Sequence, residues 1–293
     1  MILIGPMKKP IAITLSAFFG LSPGVALADA RDMPQIPESA DSAFQGDYLS
    51  VGVGLMRTSD YEGSDDYKWG PAAGFRGRVG DVRIFSRAIG IGADFLPEPR
   101  GSDVHFTLGP VIRYRANRTG KVKDPVVRLL PELDGVMEAG VTMGVSFDGI
   151  LIKQDNISFG SDVRWGVTGN KGSRIITLNA GYSTPLSPAL GVGVSVGVDH
   201  VNRDYADYNY SVDTAGSLAS GLPVYRGKGG WKNAGGRVFA GYDLDGNIRN
   251  GGWVVGAALS YERLLGSAAN TPITRLRGSR DQWMMGLGLG YTF

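Results

Sequence analysis

The fold this sequence predicts is all-β: a transmembrane, antiparallel, up-and-down β-barrel of about 12 strands. Three observations point to it. Apolar residues alternate with small or polar ones through segment after segment of roughly ten residues, the length at which a tilted strand crosses a bilayer. Glycine accounts for 45 of 293 residues, and a helical domain would lose about 1 kcal/mol for each interior one. The chain ends on QWMMGLGLGYTF, with Trp283, Met285, Leu287, Leu289, Tyr291 and Phe293 on one face and Gly286, Gly288 and Gly290 on the other. On a soluble sheet the second face would carry charge, because water rewards it there.

The elements follow in order. Lys8 and Lys9 precede an apolar run from Ile11 to Phe19, then Gly20 and Pro23, then Ala26-Leu27-Ala28. That is the pattern of a secretory signal over residues 1–28, cut after Ala28, and its apolar stretch is too short to span a bilayer as a helix. Residues 29–46, polar and carrying Pro34 and Pro37, read as a flexible periplasmic lead-in. The barrel occupies 47–293, with strands expected near 47–57, 69–79, a short pair within 82–96, then 104–114, 136–147, 157–167, 174–182, 190–201, 231–242, 253–264 and 282–293. Arg83 and Arg87 interrupt the alternation of the short pair, so 10 strands stay open as an alternative. With the C-terminus in the periplasm, 58–68, 115–135, 168–173, 202–230 and 265–281 become outer loops, and the longest fall outside, as such barrels require.

A β-sandwich also gives strands with one apolar face. Against it, Trp253 and Tyr261 share a face eight residues apart, as do Trp283 and Tyr291. That spacing covers on the order of 20 Å along the membrane normal, close to the height of an apolar band with its two aromatic girdles. The terminal strand, with Trp283, Tyr291 and Phe293, resembles the insertion signal read by the barrel-assembly machinery. Lipid accepts the apolar row, a narrow lumen accepts the small one, and closure removes the sheet edges.

Composition narrows the partners. The chain has no cysteine, so no disulfide staples it despite export. Lys plus Arg total 30 against 28 Asp plus Glu, a balance that gives no field for nucleic acid. The expected location is the bacterial outer membrane, in contact with outer-membrane lipid and lipopolysaccharide.

The motifs with chemical overtones have simpler readings. Gly193-Val194-Ser195-Val196-Gly197 matches a nucleophile elbow, but that elbow needs a sharp strand-to-helix turn and the alternation runs through Ser195 unbroken. His105 is expected to point inward near the periplasmic rim and His200 to sit at the outer interface, too far apart to share a proton. Asp243-Leu244-Asp245-Gly246-Asn247 places its glycine too early for a calcium loop and reads as a turn. The G-x-G triplets precede no helix that could receive a phosphate. The expectation is therefore no catalytic, cofactor or metal residue, and no enzyme. Three outer segments are richer: YEGSDDY at 61–67, the stretch from DYADYNYSV at 204–212 to SGLPVY at 220–225, and RGSRDQ at 277–282. Tyrosines beside carboxylates suit sugars or divalent cations. The favoured alternative is that these loops pack together and plug the mouth, with Arg277 and Arg280 facing Asp65 and Asp66.

At these residues the chain resembles the MipA/OmpV family, that of the MltA-interacting protein. The resemblance rests on Tyr61-Glu62-Gly63-Ser64-Asp65, on Gly221, Leu222, Pro223 and Tyr225 of the SGLPVY tract, on RLLGSAANTPI at 263–273, and on Gly278-Ser279-Arg280-Asp281-Gln282. One departure is the basic loop RANRTGKVKD at 115–124, where the family pattern has an acidic run. The resemblance implies a non-enzymatic outer-membrane barrel, a scaffold or binding protein linking that membrane to murein-remodelling enzymes, a lytic transglycosylase and a murein synthase. It carries over no catalytic residue. Such a partner would be met in the periplasm, through the short turns and the lead-in. The alternatives are a narrow pore or an adhesin-like surface protein and, behind them, an outer-membrane hydrolase.

Overall fold

The computed structural model describes residues 26–27, 43–97 and 102–293. The predicted signal, apart from Ala26–Leu27, and the lead-in up to residue 42 lie outside the described residues. Twelve strands close into one barrel: β1 (Tyr48–Ser59), β2 (Tyr67–Val79), β3 (Val82–Ser86), β4 (Gly90–Asp94), β5 (Val104–Arg115), β6 (Val136–Asp148), β7 (Asn156–Gly166), β8 (Arg174–Pro185), β9 (Leu190–Val201), β10 (Gly230–Asp243), β11 (Gly252–Leu264) and β12 (Asp281–Thr292). Each pairs antiparallel with the next, and β12 returns to β1 with Leu287 opposite Leu55 and Tyr291 opposite Val51. The register keeps one face outside along every strand, so Val53, Leu55, Phe106, Phe159, Val196 and Leu287 are all exposed on the barrel's outer surface. The spaced aromatics become two cross-strand pairs, Trp253 with Tyr291 at 4.9 Å and Tyr261 with Trp283 at 4.8 Å between ring centroids. Each pair marks one edge of the apolar band.

The short pair that left the strand count open is a real hairpin. Arg83 turns inward onto Asp94, and Arg87 lies 3.7 Å from Asp162 on β7. The charges that interrupt the alternation belong to the lumen and do not end the sheet. The hairpin is nevertheless short. Its ladder with β2 covers only Arg76–Val79, and above that level the only strand on this edge of β2 among the described residues is Ala26–Leu27, parallel to Ala72 and Ala73.

Some glycines are required by backbone proximity rather than by lumen space. A Cβ at Gly140 would collide with the carbonyl oxygen of Val163, and one at Gly54 with that of Leu287, whereas at Gly256 the nearest atom is 3.7 Å away. Strands crossing this closely tolerate no side chain on the crowded face.

Two ends follow from the connectivity. The turn end carries the C-terminus, the β4–β5 connection and the turns at 80–81, 149–155, 186–189 and 244–251. Its Asp243–Asn247 segment is a turn, as expected: the Asp243 carboxylate accepts the backbone N–H groups of Asp245, Gly246 and Asn247, and Gly246 supplies a positive φ of 96°. The lead-in is anchored at its far end rather than free. Ala43–Gln45 form a 3₁₀ turn, Ala43 N–H donates to the Arg249 carbonyl at 2.8 Å, and the buried Phe44 ring packs edge-on to Tyr48.

The opposite, lid end holds the loops expected to be outer. They are not irregular throughout: they carry α1 (Arg203–Tyr210), α2 (Thr214–Ser220), α3 (Gly266–Asn270) and α4 (Pro272–Arg277). Asn202 caps α1 through the Tyr205 N–H, Asp213 caps α2 through the Gly216 N–H, and Pro272 opens α4. At five to eight residues these helices are too short to show a 3.6-residue period against loop sequence.

Candidate functional site

Two buried clusters close the lid end. The first joins Tyr205, Ala206 and Tyr210 of α1 to Ala268 and Ala269 of α3 and to the wall residues Ile175, Val201 and Leu264. The second gathers Tyr61, Val122, Val127, Leu130, Val212, Leu222 and Ile273, drawn from four loops. Tyr225 packs on both, and its backbone pairs with Val212 in a two-way bridge at 2.9 Å. The loops thus plug the mouth by burying apolar side chains against one another, away from water.

The tracts singled out in the sequence are the parts that interlock. Gly63 sits at φ 93°, and a Cβ on Gly278 would strike its carbonyl oxygen. This close approach lets the Ser279 N–H reach the Gly63 carbonyl at 2.9 Å. The Gln282 amide finishes the joint: its oxygen accepts the Gly63 N–H and the Ser59 hydroxyl, and its nitrogen donates to the Ser64 carbonyl. Ser64 is fully buried, and Asp66 N–H donates to its hydroxyl. Gly221 is the left-handed cap of α2 at φ 73° and delivers Leu222 into the second cluster. Pro223 stays exposed. Asp281 accepts the Tyr261 hydroxyl at 2.6 Å and Arg263 at 2.9 Å, holding the start of β12 to β11.

The expected ion pairs of this plug are corrected. Arg277 pairs with Asp124, at 2.7 Å from Nη2 and 3.0 Å from Nε, and Arg280 donates to the side-chain oxygen of Asn270 at 3.1 Å. Asp65 is exposed and pairs with neither. The loop at 116–135 folds across the mouth, so Asp124 arrives where Asp65 was expected. Its carboxylate is preorganised by the Val126 and Val127 N–H groups. Burial opposes the Asp124 charge, but Arg277 and these N–H groups outweigh it and hold the carboxyl below the usual range. In the same loop burial lowers Arg118 to about 10, and in the second cluster it raises Tyr61 to about 12.

Glu62 is the hinge between plug and wall. Its carboxylate accepts the Tyr210 hydroxyl and lies 3.6 Å from Lys232, which in turn stands 3.1 Å from Asp199. Burial first, then the Glu62 charge, push the Tyr210 hydroxyl well above its ordinary value. Lys232 can turn inward because the β9–β10 ladder skips it: Asp199 pairs with Asn233 and His200 with Trp231, leaving Lys232 as a bulge. Beneath the plug a chamber of about 710 Å³ runs from Glu62 and Lys232 down to His105, Asp148 and Asn156 near the turn end. A ladder of ion pairs leads away from its wall at Asp162: Arg164 reaches Asp162 at 3.0 Å, and Glu138 holds Arg164 at 3.3 Å and Arg115 at 2.6 Å. Sequence reasoning did not pick out this ladder, although its members share the inward parity opposite the apolar row.

His105 bonds to Asp148 at 3.1 Å at the turn end, and His200 packs edge-on to Trp231 at the lid end. Ser195 stays mid-strand, opposite Gly181 and Arg237. These groups do not converge on a shared reacting position.

A family model described as MltA-interacting protein MipA matches residues 51–293. Among curated proteins no sequence matches. Solved structures similar to this chain include the NanC porin, 8% identical over 84% of this chain and 99% of that one with a TM-score of 0.40. Others are the toluene transporter TodX of Pseudomonas putida, 8% identical over 90% and 96% with a TM-score of 0.37, and the outer membrane channel DcaP of Acinetobacter baumannii, 10% identical over 84% and 96% with a TM-score of 0.37.

Proposed function

This chain belongs to the MipA family, and on that premise we propose that it is a non-enzymatic scaffold that holds a murein-cleaving enzyme at the inner face of the outer membrane. The observation that carries the reading is the plugged mouth: four loops spend their apolar residues on one another, which suits a binding barrel better than an open conduit. On this reading the leader is removed after Ala28, Trp283, Tyr291 and Phe293 guide insertion, the lid faces outward and the turn end faces the periplasm.

The turn end offers the docking surface. Ile150, Leu151, Ile152, Leu186 and Leu244 are exposed there on three turns that follow one another around the barrel. The first of these turns is stiff, because the Asp155 carboxylate accepts the N–H groups of Ile150, Leu151 and Ile152 at 2.8–3.0 Å. Burial disfavours that charge, but the three donors outweigh it and hold the carboxyl low. Exposed aliphatics on a rigid turn are what an interface core requires. The test is capture of a purified lytic transglycosylase by the detergent-solubilised barrel. Capture that disappears when Ile150, Leu151 and Ile152 are replaced by serine supports the reading, and capture that is absent or unaffected by the replacement removes it.

The chamber supports a second reading, a narrow conduit gated by the lid. Planar-bilayer recordings on the wild type and on Asp124→Asn decide it: silence from both dismisses the conduit.

A further inference from the structure

Beside the main chamber lies a small cavity of about 130 Å³, roofed by Tyr205 of α1, with Arg113, Arg115, Arg164 and Lys232 and the carboxylates Glu62 and Asp199 in its wall. It adjoins the chamber, since Glu62, Arg113 and Lys232 line both. Two buried donors here have no hydrogen-bond partner among the described residues, Arg113 Nε and Arg115 Nη2. Arg115 is only 8% exposed. Its Nε is committed to Glu138 at 2.6 Å and its Nη1 to Asn209 of α1 at 3.0 Å. A guanidinium is a rigid plane, so those two bonds fix where the free Nη2 donor points.

Four cations but only two carboxylates line the cavity, the latter being Glu62 and Asp199. Glu138 already serves Arg115 and Arg164, Asp162 serves Arg164 and Arg87, and Glu62 and Asp199 serve Lys232. For Arg113 no ion pair within 4 Å is found among the described residues, although it stands opposite Glu138 in the β5–β6 ladder, a carboxylate already held by two other guanidinium groups. An enclosed pocket whose lining cations outnumber its lining carboxylates favours a compensating anion. Water would satisfy the N–H groups but bring no charge. The volume admits about four waters at roughly 30 Å³ each, or one compact anion with two or more oxygens.

The geometry points to a binding site for a small oxyanion in this cavity, gripped by the free arms of Arg113 and Arg115 and reached through the chamber. Guanidinium forks match carboxylate and phosphate oxygens, so the ligand is inorganic phosphate or the carboxylate of a small solute. Because Arg115 also holds Asn209 and lies 4.4 Å from the Tyr205 ring, the bound anion would tie the wall to the lid.

The test is calorimetric titration of the detergent-purified chain with sodium phosphate and, separately, sodium acetate at fixed ionic strength. The expected result is one saturable site. Phosphate alone binding identifies inorganic phosphate as the ligand type, and acetate binding as well identifies a carboxylate-accepting site. Arg113→Gln is expected to weaken the affinity at least ten-fold. Arg113→Lys, which keeps the charge but loses the fork, is expected to weaken it less and serves as the reading if the glutamine variant does not fold. Absence of saturable binding of either anion to the wild type overturns the proposal, as does an affinity unchanged in the lysine or glutamine variant.

Discussion

Asp124→Asn tests how the mouth is latched. The amide oxygen can still accept the Val126 and Val127 N–H groups, so the local turn survives. What is lost is the charge and the second oxygen that hold Arg277 through contacts of 2.7 and 3.0 Å. Hydrogen bonds to charged groups contribute about 1.5–3 kcal/mol each. The Arg277 side chain is 36% exposed, so solvent screening takes back a good part, and a net loss of about 1–2 kcal/mol is expected. That raises the open population of the 116–135 loop roughly 5- to 30-fold. Trypsin reports it, because Lys121, Lys123 and Arg128 lie in this loop and cleavage follows the open fraction when closing is fast. The barrel's own unfolding temperature should hardly move, since the sheet is a separate cooperative unit. The wild type should show the same opening at acid pH. A carboxyl held low in the folded state contributes stability that is complete above about pH 4 and is lost as pH falls through its lowered pKa. Hydrogen exchange of the loop amides between pH 5 and 2 would show this, and the asparagine variant would not. Cleavage in the variant no faster than in the wild type would refute the latch.

Other outcomes follow from the wall. Glu138→Gln leaves Arg115 and Arg164 without their shared carboxylate, and breaking such a buried set should cost about 3–5 kcal/mol, read as a lower temperature for loss of the folded band in heat-modifiability gels. Gly140→Val should abolish that band, because the new Cβ meets the Val163 carbonyl, while Gly256→Ala should keep it, its Cβ having 3.7 Å of clearance. Alternate amides of Tyr67–Gly70 on β2, which face the gap beyond the short hairpin and the Ala26–Leu27 pairing, should exchange much faster than amides of β11, which is paired along both edges. Equal protection would mean that this edge is covered.

The candidate site was legible in part. Tyr61, Gly63, Leu222, Gly278 and Gln282 stood out as a pattern of residue types on outer loops, and they do interlock. Their partners were not legible. Asp124 and Gln282 act across 153 and 218 residues of sequence, and nothing local in either segment encodes which loop folds over which. The four short helices were invisible for a different reason, since fewer than three turns give no periodic signal.

The sequence by itself determined the barrel: its alternation, its strand lengths, its aromatic spacing and its outward and inward faces. All of these are properties with a period of two along one strand, and lipid on one side with a narrow lumen on the other leaves that pattern a single solution. Only the tertiary structure decided how the plug interlocks, the Arg277–Asp124 latch, the bulge that turns Lys232 onto Glu62, and, below the lid, the Arg113 donor left without a partner among the described residues. Each depends on which distant strands closure makes neighbours, and a one-residue shift of register, as at Asp199 and His200, is enough to send a side chain to the other face.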